Sequence, residues 1–190
     1  MVELYPWGGK FMQVNPNAPT AVVTLSEDFE VESDKIALYG NMKTENLGVE
    51  KVVANVVSNP NIRFLIVCGS EVRGHRSGDS ILNLHRNGVD SNRKVIGARS
   101  AIPYIENLPS EAIERFQKQV EAVDLVGETD LNKIKEKIDE CSSRSPGSFG
   151  EPMFVEHVSK ENMQVVLNSD YSLHSSINFD PYGIISQLEG

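Results

Sequence analysis

The segment that most restricts this chain is an apolar run, Ile62 to Val67, that stops at a glycine-bearing loop and is followed at once by a helical pattern. The loop reads Cys68-Gly69-Ser70-Glu71-Val72-Arg73-Gly74-His75-Arg76-Ser77-Gly78-Asp79-Ser80 and holds three glycines, two acids and one histidine. A buried strand, a turn and a helix start in immediate succession belong to open α/β folds, which bind ligands beyond the carboxyl ends of their strands. Ala21–Leu25 and Ile36–Gly40 predict further strands. Val49, Val52, Val53, Val56 and Val57 recur at helical spacing after a start at Thr44, with Glu45 in the first turn and Asn59-Pro60-Asn61 as the stop. So many valines disfavour an isolated helix, so a sheet must hold this one by burial.

The same spacing predicts helices from Ser77 or Asp79 to His85, over Ser110–Gln119, and from Leu131 to Cys141 behind an Asp130 cap, with a strand over Glu121–Val126. The class is therefore α/β: a Rossmann-like, mainly parallel sheet with helices on both faces. Residues 1–19, rich in Pro and Gly, read as an irregular lead-in that Trp7 pins to the core. Ser26–Asp34 carries five acids and reads as a surface connection or short helix. Residues 89–101 read as irregular, with a short bridge at Val95-Ile96-Gly97, and Pro103 makes 101–105 an edge or a loop. A Ser/Gly/Pro linker at 142–150 divides a domain over 1–150 from a short β-rich extension over 151–190. Two strand-like runs there, Met163–Leu167 and Ile184–Leu188, suggest a hairpin or a swapped arm through which a homo-oligomer could form.

A formal net charge of -9 argues against nucleic-acid binding, which needs a basic face. No apolar stretch reaches the roughly 18 residues of a membrane helix, and the first ten residues lack the pattern of a signal peptide. A cytoplasmic location is expected. Cys68 and Cys141 sit in apolar patterns and read as packing thiols.

Three loops fall at the carboxyl ends of the strands: Gly40–Gly48, Gly69–Gly78 and Gly97–Asn107. His75 is the candidate metal ligand in the second, with Glu71 or Asp79 able to accept its other ring N–H. His85 shares a helix stripe with Ile81 and Leu84 and reads as packed, while His157 and His174 in the tail carry no pattern. No HExxH or CxxC spacing exists, so a zinc site made wholly by the protein is not expected. One histidine suffices for a metal whose other ligands come from a macrocycle. The glycines at 69, 74 and 78 match neither GxGxxG nor GxxxxGK[ST], which leaves a nucleotide- or phosphate-binding enzyme as a distant alternative. Asn46 offers an amide that donates and accepts, Thr44 reads as a cap, and Arg99 and Glu106 read as surface charges.

Four blocks occur together and in order: Lys43 to Val53 (KTENLGVEKVV), Asn59 to Ile66 (NPNIRFLI), Gly74-His75-Arg76-Ser77-Gly78, and Gly97-Ala98 through Ala101-Ile102-Pro103-Tyr104-Ile105-Glu106-Asn107. They resemble the corrinoid-binding subunit of the tetrahydromethanopterin S-methyltransferase complex over about Trp7 to Val155. The resemblance implies a corrinoid, cobalamin or 5-hydroxybenzimidazolyl cobamide. Its cobalt would accept a methyl group from methyl-tetrahydromethanopterin and pass it to coenzyme M. It carries the cobalt-ligating histidine of that family over to His75. The corrin pocket would then be lined by Thr44, Glu45, Asn46, Leu47 and Gly48, by Gly69, Glu71, Gly74, Ser77 and Gly78, and by Ala101, Ile102 and Pro103. It implies partners that donate and accept methyl, as proteins or as pterin and thiol substrates. A non-catalytic cobamide store or carrier is the alternative within that class. Two features depart from related patterns. The full-length chains of that family end in a membrane helix, whereas the tail here is polar from about Glu156. The Asp-x-His-x-x-Gly of commoner corrinoid-binding domains has Arg73 in place of its Asp.

Overall fold

The computed structural model describes residues 4–156 and the strands at 177–179 and 185–187. The first compact unit ends at Glu156. It contains strands β1 (Phe11–Gln13), β2 (Thr20–Val23), β3 (Ile36–Gly40), β4 (Phe64–Gly69) and β5 (Glu121–Val126), and helices α1 (Leu47–Val57), α2 (Ser77–Asn87), α3 (Ser110–Gln119) and α4 (Leu131–Ser143). The sheet order is β1-β3-β2-β4-β5, parallel throughout except for β1, which runs antiparallel to β3.

Each of the six residues of β4 is buried, which is why the sequence shows an unbroken apolar run there rather than an alternation. Alternate side chains go to opposite faces. Leu65 and Val67 join Ala21, Val23 and the helices α1, α2 and α3 in one core. Phe64, Ile66 and Cys68 join Val22, Val31 and α4 in the other. The four helices therefore cover both faces, and the valine-rich α1 is held by that burial, as its composition requires.

The chain leaves β2 toward β3 and then crosses back, through α1, to β4 on the other side. The strand order reverses between β2 and β4. In a doubly wound sheet the crevice at that reversal, beyond the carboxyl ends, is where ligands bind. The loop bearing His75 follows β4 at that point.

Several local expectations change. The lead-in is not irregular throughout: it contains β1, and Tyr5 and Trp7 are buried, Trp7 at 1% exposure. Three mostly exposed residues carry no apolar alternation to announce a strand. Strand β2 stops at Val23 because Leu25 turns to φ 50. Ile62 is buried ahead of β4 rather than within it. The acidic stretch after β2 is a loop that buries Val31. Bridges pair Val89 with Val95 and Lys94 with Tyr104.

The expected linker at 142–150 is partly the end of α4 and partly a docked strap. The Phe149 amide donates to Pro60 O and the Met153 amide to Val57 O. Arg115 and Arg63 stack on the Phe149 ring at 4.5 and 5.1 Å from its centroid. Cys68 and Cys141 are both buried and unpaired, and burial pushes the Cys68 thiol up to about 12. Beyond residue 156, β6 (Ile177–Phe179) pairs antiparallel with β7 (Ile185–Gln187). β7 falls within the expected run Ile184–Leu188, whereas Met163–Leu167 lies outside the described residues. Among the described residues no helix is long and apolar enough to cross a membrane.

Candidate functional site

Three loops meet beyond the carboxyl ends of β3 and β4. The first, 41–46, leads into α1. Asn46 is its N-cap, with the side-chain oxygen accepting from the Leu47 amide at 2.7 Å, and Thr44 Oγ1 accepts from the Gly48 amide at 2.8 Å. Thr44 thus supports the first turn without being the cap. This arrangement turns Glu45 inward, to 3% exposure.

The second loop carries His75 between two left-handed residues, Gly74 at φ +85 and Arg76 at φ 48. Only a glycine takes the first of these conformations without cost. The amides of His75 and Arg76 both donate to Val72 O, so the backbone closes into a tight turn. Arg76 is also the N-cap of α2 but gives it no side-chain bond. Glu71 does so instead, accepting from the Gly78 amide at 3.1 Å and the Asp79 amide at 2.7 Å.

Glu45 joins the loops. One carboxylate oxygen lies 2.6 Å from His75 Nδ1, and the other accepts from the Ile102 amide at 3.1 Å. Burial opposes the ionisation of Glu45. Its own amide, the His75 ring and the Ile102 amide nevertheless hold its carboxyl below the usual range. An ionised Glu45 accepts only, so Nδ1 carries the proton and donates. In the neutral ring Nε2 then carries the lone pair. It has no hydrogen-bond partner among the described residues, and the side chain is 49% exposed. His75 is therefore a half-exposed, tautomer-fixed imidazole with one nitrogen open.

The expected orienting acids are corrected by this geometry. Glu71 is committed to the α2 amides, and Asp79 is committed to Arg99, accepting from its amide, Nε and Nη2 at 2.7 to 3.0 Å. Glu45 lies 30 residues from His75 in sequence. The sequence marks it as a first-turn acid and a pocket residue, not as the partner of the histidine. A usable signal exists: it is the single carboxylate in 41–46, the loop that leaves the strand next but one to β4.

The other expected residues divide into two groups. Leu47 and Ile102 are large apolar side chains left 45% and 57% exposed, beside Asn46 and on the amide bonded to Glu45. Ala101 and Gly74 are exposed with them. Gly69, Ser77, Gly78 and Pro103 are buried behind the loops. Ser77 Oγ donates to Met42 O at 2.8 Å, tying the start of α2 to the loop after β3. A Cβ on Gly69 would lie 2.4 Å from Thr24 O, and one on Gly78 would press on Glu71, Leu25 and Val126. These two glycines are demanded by packing, whereas a Cβ on Gly74 would meet nothing within 4 Å. The third loop is also fixed from below, where buried Glu50 accepts from the Asn107 amide and Nδ2.

His85 is packed, as its stripe suggests. Its Nε2 lies 2.7 Å from Val120 O and its ring stands edge-on to Phe116 at 5.4 Å. His157 and His174 lie outside the described residues.

No group of three or more His, Cys, Asp or Glu side chains able to hold a metal occurs among the described residues. The donor set at His75 is one nitrogen. It fits a metal that brings its equatorial ligands in a macrocycle, and it does not fit a bare ion. The exposed Leu47 and Ile102 suit the apolar surface of a flat ring.

Comparison with known proteins agrees with the sequence resemblance. The family model MtrA, which describes the A subunit of tetrahydromethanopterin S-methyltransferase, matches residues 3–165. The first of two such MtrA proteins in Methanothermobacter thermautotrophicus is 54% identical over 151 residues, covering 77% of this chain and 63% of the relative. The second MtrA protein of Methanothermobacter marburgensis is 50% identical over 146 residues, covering 75% and 79%. The second one of Methanobrevibacter ruminantium is 46% identical over 157 residues, covering 80% and 81%. The chain thus spans less than two thirds of the length of the first of these relatives.

Proposed function

Because this chain belongs to the MtrA family of tetrahydromethanopterin S-methyltransferase, we propose that it is a corrinoid-binding methyl carrier whose His75 Nε2 is the axial ligand to cobalt. The single observation that carries the reading is the Glu45–His75 pair: a buried carboxylate 2.6 Å from Nδ1 and an open Nε2 on a half-exposed ring. A bound corrinoid supplies a cobalt centre that accepts and releases a methyl group, from methyl-tetrahydromethanopterin and to coenzyme M. A multisubunit methyltransferase complex is the proposed setting.

The protein's own residues have separable tasks. Glu45 holds the proton on Nδ1, which keeps the Nε2 lone pair available and raises its basicity. Its second oxygen holds the Ile102 amide, so the imidazole and the 101–103 loop are positioned by one side chain. Leu47 and Ile102 offer apolar surface that a macrocycle would cover, which would exclude water from the open nitrogen. Ser77 and Glu71 fix the loop's far end to the β3 loop and to α2. The left-handed turn at Gly74 and Arg76 holds His75 where one ring edge meets Glu45 and half of the side chain stays exposed, so a ligand can reach it.

The reading is tested by titrating corrinoid-free protein with cobalamin and following the corrin absorption bands. Wild type should bind with one equivalent. Glu45→Gln should weaken binding about 10- to 100-fold, the usual cost of removing a carboxylate behind a metal-bound histidine. Equal affinities for wild type, Glu45→Gln and His75→Gln would remove His75 from the site.

A further inference from the structure

A second recess adjoins the His75 loop. It is a cleft of about 600 Å³ between α2, the end of β5 and the turn at Gly97, lined by Arg76, Arg86, Arg99, Glu71, Asp79 and Asp124 among others. Its volume lies within the range of cofactor and substrate sites. Arg76 stands next to His75, and Arg86 lies ten residues further on, about 15 Å along the helix axis.

The cleft holds three arginines and three acids, so formal charge does not name its ligand. The hydrogen bonds do. Each carboxylate is already accepting: Glu71 from two α2 amides, Asp79 from Arg99, and Asp124 from the Val126 amide at 3.0 Å. Arg99 gives its Nε and Nη2 to Asp79 in return. The guanidiniums of Arg76 and Arg86 donate to no acceptor among the described residues. Each carries five N–H donors in a planar fork matched to oxyanions. Among the described residues these two guanidiniums lack an acceptor, and an oxyanion supplies one.

We infer that the α2–β5 cleft is a phosphate-binding subsite, with Arg76 and Arg86 as its donors. The α2 amides are not the donors, because Glu71 already caps them. The oxyanion has two chemical sources: the phosphodiester of a corrinoid's nucleotide tail, or a separate phosphorylated ligand. The first rests on the corrinoid reading above and extends it.

Three titrations by calorimetry and absorption separate these sources: cobalamin, cobinamide (a corrinoid without the phosphate) and inorganic phosphate. Each is run on wild type, Arg86→Ala, Arg76→Ala and Arg86→Lys. Both arginines are exposed; because Arg76 also holds the left-handed N-cap of α2, Arg76→Ala is compared with wild type at a matching urea-unfolding midpoint. The tail reading predicts that wild type prefers cobalamin to cobinamide about tenfold. Arg86→Ala should erase most of that preference without changing cobinamide binding, Arg76→Ala should erase it as well, and Arg86→Lys should restore part of it. Equal binding of both corrinoids, with phosphate bound by wild type and lost in the alanine variants, supports the subsite with a separate ligand as its source. Neither corrinoid binding would overturn the corrinoid reading, and the phosphate titration would still decide the cleft. No preference between corrinoids in wild type, together with phosphate binding that is absent or indifferent to both arginines, overturns the inference.

Discussion

The two ends of the sheet solve opposite problems. At the amino ends of the strands, polar groups are closed against one another. Gln119 Nε2 lies within 3.1 Å of the carbonyls of Val56, Asn59 and Ile62 and shares its two N–H donors among the end of α1 and the turn before β4. Asn55 exchanges bonds with both the amide and the carbonyl of Trp7, and the Trp7 indole N–H donates to Val155 O. Arg63 and Arg115 donate to the carbonyls of the strap and clasp Phe149 between them. At the carboxyl ends, His75 Nε2 and the Arg76 and Arg86 guanidiniums lack protein partners among the described residues, and Leu47 and Ile102 are bare. The same sheet carries both ends, and the open polar groups of the second suit a surface that a ligand completes.

Mutations at the two ends should therefore separate stability from binding. The largest effect is expected at Trp7. Trp7→Ala leaves a cavity under the closed end and should cost about 3–5 kcal/mol in urea unfolding, with cobalamin affinity of the folded fraction unchanged. A matching loss of affinity would break the division between the ends. Gly69→Ala comes next, because a methyl group would strike Thr24 O in a backbone conformation that disfavours side chains. It should cost about 2–3 kcal/mol. Gly74→Ala, with open space around it, should cost about 1–2 kcal/mol from backbone strain alone. If the two were equally harmful, Gly69 would not be a packing position.

Glu45→Gln should cost about 1 kcal/mol, the usual value of a hydrogen bond to a buried group. This loss depends on pH. The Glu45 carboxyl is held below its ordinary value in the folded chain, so its contribution is complete above the unfolded value of about 4.3 and is lost as pH falls through the folded value. The stability gap between wild type and Glu45→Gln should thus be constant near neutrality and shrink in acid. A gap that widened in acid would mean that Glu45 is protonated in the native state. The smallest effect on stability is expected for His75→Gln, below that of Glu45→Gln because the glutamine amide can still donate to the Glu45 carboxylate, although the same change should abolish axial ligation.

The core elements can be read from the chain because each is governed by a local pattern. The unbroken run of β4 reports burial on both faces, and the valines of α1 report a helix that needs a sheet. Trp7 and His85 are legible as packed groups for the same reason. Strand β1 is not, because three residues at an edge bury too little to leave a pattern. The strap is hidden by its Ser, Gly and Pro content, since it is held by backbone carbonyls and ring stacking rather than by a repeating apolar face. At the site, His75 is legible from its place after β4. Its partner is not, because a contact between Glu45 and His75 exists only once β3 and β4 flank β2. The glycines are legible as special, yet their reasons differ: Gly69 and Gly78 admit close packing, and Gly74 permits the turn.

The most direct test of the account is an electron paramagnetic resonance spectrum of the cobalt(II) corrinoid bound to protein labelled with 15N-histidine. If His75 Nε2 is the axial ligand, each cobalt line is split into a doublet by one 15N nucleus. His75→Gln removes that splitting, and His85→Gln retains it. A labelled wild-type protein showing a 14N triplet from the corrinoid's own base, or no nitrogen splitting at all, would contradict the assignment.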